Sequence, residues 1–119
     1  MLSQLYKITD GHHAELLTDK LEKAESFFKR GKGLLGRSEL SVDQALWINP
    51  CNNIHTFFMK FSIDCLFLDK NLKIKKIYSQ VKPFRLAGPV WRASSVIELK
   101  AGNIEKWKLN IGDQLYVVS

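Results

Sequence analysis

Residues 54–68 read Ile-His-Thr-Phe-Phe-Met-Lys-Phe-Ser-Ile-Asp-Cys-Leu-Phe-Leu, and this stretch decides the fold. His55, Phe57, Met59, Phe61, Ile63, Cys65 and Phe67 fall at odd positions, with Thr56, Ser62 and Asp64 between them. A period of two belongs to extended chain, whose side chains alternate between faces. The run exceeds a usual strand, so a bend or bulge is expected near Lys60. Asp69-Lys70-Asn71 reads as a hairpin turn with Asn71 suited to a left-handed conformation, and Leu72 to Tyr78 as the returning strand. Ile77 falls out of phase with Leu72 and Ile74, which predicts a bulge at Lys75 and Lys76.

Working outward, Ala45 to Ile48 is a short apolar run closed by the turn-prone Asn49-Pro50-Cys51-Asn52-Asn53. Gln4 to Ile8 and Ala14 to Leu17 flank Thr9-Asp10-Gly11-His12, which predicts an opening hairpin. Leu21, Ala24, Phe27 and Phe28 share helical spacing, with Asp19 and Glu22 as a capping box and Lys29-Arg30-Gly31 as an ending, so a helix is expected over 19–30. On the other side come a loop at Pro83 to Pro89, a strand at Ser94 to Leu99, a helical turn at 103–108 and a last strand at Gln114 to Val118. The expectation is an α+β, mainly β single domain, 1–119. It has about seven short, mostly antiparallel strands in a partly open, barrel-like sheet, with one main helix packed on it.

The 119 residues, 45% apolar and 25% charged, suit one globular domain with its own core. No apolar run approaches the roughly 20 residues that span a bilayer. Met1 to His13 carries Asp10 and two His where a signal peptide needs an apolar stretch, so a cytoplasmic location and no membrane partner are expected. Cys51 and Cys65 have no framework or zinc-knuckle spacing and are read as reduced thiols, with no metal or cofactor expected. The net charge of +6 lies wholly in residues 60–119, which hold eleven Lys or Arg against five Asp or Glu. A surface containing Lys73, Lys75, Lys76, Arg85 and Arg92 would attract polyanions. Lys outnumbers Arg 14 to 4, whereas base-reading sites favour Arg, so a solvated face is the plainer reading and nucleic acid the alternative partner.

The ordered motifs Gly33-Leu34-Leu35-Gly36-Arg37, Ala45-Leu46-Trp47-Ile48-Asn49-Pro50-Cys51, Ile54-His55-Thr56-Phe57-Phe58-Met59, Ile63 to Asp69, Val96-Ile97-Glu98-Leu99 with Ala101-Gly102, and Gly112-Asp113-Gln114-Leu115 closely resemble the domain of unknown function 192 family. The resemblance spans almost the whole chain. It implies a small, mostly β fold with a helix packed on it and supplies no activity. Asn71 stands where that family usually has Gly, and Phe57-Phe58 where many members have Trp.

Among candidate site residues, His55 lies between a turn and an aromatic strand with Asp64 within a hairpin's reach, a spacing that suits an acid–base or orienting pair. Cys51 with His55 and Asp64 would suit a thiol hydrolase if the imidazole activated the sulfur. Glu98 interrupts an apolar strand and needs a partner if buried, for which Arg37 is a candidate. The leading expectation is a non-catalytic binding module for a small ligand or peptide, its recess formed by the glycine loop and the Pro50 to Met59 segment, with Arg37, His55, Thr56 and Asp64 as ligand-binding residues.

Overall fold

The computed structural model describes residues 2–119, with the side chains of Phe27 and Phe28 excepted. The described residues form nine strands and two short α-helices, in order β1 Ser3–Ile8, β2 Ala14–Ala24, α1 Phe27–Lys32, β3 Gln44–Ile48, β4 Ile54–His55, β5 Ile63–Leu68, β6 Ile74–Val81, β7 Leu86–Ala87, β8 Ser95–Lys100, α2 Asn103–Lys106 and β9 Leu115–Val118. Seven strands form one sheet in the order β6-β5-β8-β3-β2-β1-β9, and β4 pairs with β7 in a separate ribbon. The outer strands meet only at one corner, where Lys73 bridges Gln114 and the Leu115 N–H donates to the Leu72 carbonyl at 3.0 Å. The sheet therefore curls without closing into a barrel, which agrees with the mainly β, partly open expectation.

The helix expected over 19–30 is corrected. Residues as far as Ala24 belong to β2, and α1 keeps only Phe27–Lys32, capped by the Ser26 hydroxyl accepting from the Lys29 N–H at 3.1 Å. The misleading signal has a physical origin. Leu21 and Ala24 are both buried, but in different clusters on opposite faces of the sheet. A strand buried on both faces places apolar residues at odd spacings, and a spacing of three mimics a helix. Long-range pairing settles the competition: β2 is antiparallel to β1 and parallel to β3, Lys20–Ala24 matching Gln44–Ile48. The packing of Phe27 and Phe28 in the expected stripe lies outside the described residues.

The deciding stretch is interrupted, as its length required, although over a longer segment than a single bulge. β4 ends at His55 and β5 begins at Ile63. Within β5, Ile63, Cys65 and Phe67 enter one core cluster while Leu66 and Leu68 enter the other. The β5–β6 register passes from Phe67↔Lys76 to Leu68↔Ile74, leaving Lys75 as the extra residue of the expected bulge. In the preceding turn the positive φ falls on Leu72, at 65°, rather than on Asn71. Asn71 contributes differently, its N–H donating to Asp69 Oδ1 at 2.9 Å. Among the described residues no helix is long and apolar enough to cross a membrane.

Candidate functional site

A recess of about 240 Å³ opens where the α1 end and the following glycine loop approach the Cys51 to Met59 segment. Leu34, Ile48, Ile54 and Met59 wall it, and Lys32, His55 and Leu86 reach it from exposed positions. Gly33 shapes the near wall. Its backbone lies at φ 50°, ψ −126°, and a Cβ there would stand 3.7 Å from Glu98 Oε1. Only glycine adopts that conformation without strain.

Glu98 lines this recess from β8. Its cross-strand neighbours are Leu46 on β3 and Cys65 on β5, both on the same buried face. The residue is 3% exposed, and Oε1 is one of two buried side-chain polar atoms without a hydrogen-bond partner among the described residues, the other being Trp47 Nε1. Burial pushes the Glu98 carboxyl up to about 7, against a smaller opposing pull from Arg37. An unpartnered carboxyl among apolar walls is costly unless something supplies a donor.

The expected partner for Glu98 is engaged elsewhere. Arg37 makes a forked pair with Glu22, Nη1 to Oε1 at 3.1 Å and Nη2 to Oε2 at 2.9 Å, and this hydrogen bonding holds the Glu22 carboxyl below its usual range. Asp64 is buried on the other face. It accepts from the backbone N–H groups of Gln80 at 2.7 Å, Gly102 at 3.0 Å and Ile104 at 2.9 Å, fastening β6 and the start of α2 to β5. Thr56 is buried too: its hydroxyl donates to the Lys82 carbonyl at 2.6 Å and accepts from the Arg85 N–H at 2.9 Å. Of the four residues expected to bind ligand, His55 lines the recess; Arg37, Thr56 and Asp64 do not.

The His55 ring lies against Phe57, tilted by 30° with ring centroids 5.1 Å apart, and its Nδ1 accepts from the Phe57 N–H at 3.3 Å. Cys51 lines the recess with its Sγ donating to the Asn53 carbonyl at 3.0 Å, and burial pushes the thiol up. A thiol nucleophile needs the opposite shift and a base on its proton. Cys65 is buried and its thiol is pushed well up, chiefly by desolvation. Among the described residues no cluster of three or more His, Cys, Asp or Glu is arranged to hold a metal. Of the polyanion candidates, Lys75 lies 3.5 Å from Asp69 and Lys76 stands over the Tyr78 ring, while Lys73, Arg85 and Arg92 are exposed. The Glu98 recess was only half legible in sequence. The lone charge inside Val96 to Leu99 signalled a buried carboxyl, but nothing local showed that Arg37 would face Glu22.

Residues 7–117 match the model of the DUF192 family, described as "Uncharacterized ACR". A UPF0127 protein of Thermococcus sibiricus is 34% identical over 104 residues, 82% of this chain and 66% of that protein. A UPF0127 protein of Pyrococcus horikoshii is 35% identical over 97 residues, 77% of this chain and 82% of that one. A Sinorhizobium meliloti crystal structure, described as a candidate transcription regulator, superposes with a TM-score of 0.84 at 21% identity, covering 98% of this chain and 94% of the other. That likeness concerns the fold alone. With a family match over nearly its full length and curated relatives in the same family, this chain belongs to DUF192, also named UPF0127, a family of unknown function.

Proposed function

We propose that the chain is a non-catalytic binding module that seats a small molecule or a peptide side chain between the glycine loop and the Cys51 to Met59 segment. The observation that carries this reading is the buried, unpartnered oxygen of Glu98 beside the recess. An N–H or O–H of the ligand would complete that hydrogen bond, which is stronger in low dielectric than in water. The ligand's apolar part would rest on Leu34, Ile54 and Met59, and the cations Arg30 and Lys32 favour a neutral or anionic outer end over a second positive charge.

A fragment screen read by amide shift perturbation tests this. Hits should cluster on Gly33, Cys51, His55 and Glu98, and Glu98→Met should weaken them at least about tenfold, the worth of one charge-assisted hydrogen bond. Hits that map elsewhere, or that bind Glu98→Met equally well, overturn it. Polyanion binding is the second reading, supported by the exposure of Lys73, Lys76, Arg85 and Arg92. It requires affinity that falls steeply with salt.

A further inference from the structure

Thr56 ties together two loops that carry an unusual set of exposed side chains. Its N–H donates to the Arg85 carbonyl and its own carbonyl accepts from the Phe84 and Met59 N–H groups, at 2.9, 2.9 and 3.2 Å. On this clamp sit Phe58, 77% exposed, Phe84, 56% exposed, and Leu86, 70% exposed, with Phe57 beside them. The rings form one ledge, Phe57 to Phe84 at 6.4 Å and Phe58 to Phe84 at 5.6 Å between centroids. Phe58 and Phe84 are held at φ 65° and 63°. Bulky side chains rarely adopt that left-handed region, so both exposed rings are carried on strained backbone. Exposed Lys60, Lys82 and Arg85 are interleaved along the sequence with the apolar residues, and none of the three has a carboxylate partner among the described residues. Thr56 to Ser62 and Lys82 to Ala87 contain no Asp or Glu.

We infer that this ledge docks the domain on the surface of an anionic lipid bilayer. The absence of a spanning segment does not bear on this, because lying in the interface needs only apolar tips amid cations. Phe58, Phe84 and Leu86 enter the headgroup boundary, while Lys60, Lys82 and Arg85 meet lipid phosphates. A protein partner fits less well: protein interfaces deplete Lys at their apolar centres and engage some 20–30 residues a side. A single-stranded nucleic acid fits less well too, since successive bases need a row of open ring faces and here Phe57 and Phe84 stack on each other, Phe58 meets Phe84 edge-on and Leu86 has no ring. Leu86 and His55 also line the recess, so docking holds its mouth at the headgroups.

Vesicle cosedimentation of the full chain tests the inference, using vesicles of equal phosphatidylcholine and phosphatidylglycerol against phosphatidylcholine alone. Phe58→Asn with Phe84→Asn is the informative variant, because asparagine tolerates the left-handed backbone and the fold is kept. Wild type should pellet with the anionic vesicles only, and the double variant should bind at least about tenfold more weakly, with unchanged circular dichroism, since interfacial binding scales with buried apolar area. Failure to pellet, or equal binding by the double variant, overturns the proposal. So does Phe58- and Phe84-dependent binding of a single-stranded oligonucleotide by a protein that ignores vesicles.

Discussion

Asp64 and Glu98 are buried carboxyls on adjacent paired strands, yet they lie on opposite faces of the sheet and have opposite surroundings. Asp64, 1% exposed, accepts three backbone N–H bonds from two separate segments. Glu98, 3% exposed, has a buried oxygen with no partner and a recess in front of it. Burial alone therefore does not distinguish these two acids; the hydrogen-bond inventory does. Asp64 is an internal staple whose every demand is met by the chain. Glu98 carries a demand that no described residue of the chain meets.

The comparison breaks most visibly at Asp64. Asp64→Ala leaves three N–H groups without this acceptor, that of Ile104 fully buried, and should cost about 4 kcal/mol, in the range for breaking a buried polar network. Urea unfolding with an unchanged m-value checks it. A loss below about 1 kcal/mol would show that the staple is dispensable.

Glu98 should behave in the opposite sense. Its folded-state carboxyl is raised from 4.5 to about 7, so between these values the folded state binds the proton more tightly than the unfolded chain. Stability from this group is present below pH 4.5 and is lost as pH rises through 7. Glu98→Gln removes that slope and should gain about 3 kcal/mol on wild type between pH 5 and pH 8. Parallel stability curves for the two proteins would place Glu98 among satisfied acids.

The same two residues show what the sequence could carry. The alternation through Ile63 to Leu68 identified a strand, but its near-continuous apolar content meant burial on both faces, and that ambiguity also disguised β2. Once Asp19 to Arg30 is read as a helix, Glu22 becomes a capping residue and its pairing with Arg37 is hidden. With β2 extended, Glu22 shares a face with Ala24 and meets Arg37, which leaves Glu98 alone. Local signals held where geometry is local, as at the Lys75 bulge, the opening hairpin and the helix beginning at Asn103. The β2–β3 parallel pair, separated by a long crossover, had no local signal at all.

The most direct measurement is a carbon-detected NMR titration of the Glu98 side-chain carboxyl in the folded, ligand-free protein. A midpoint near pH 7 is the predicted result. A midpoint at or below the ordinary 4.5 would mean that a donor or cation already satisfies the group, and would contradict the reading of Glu98 as the open contact of the recess.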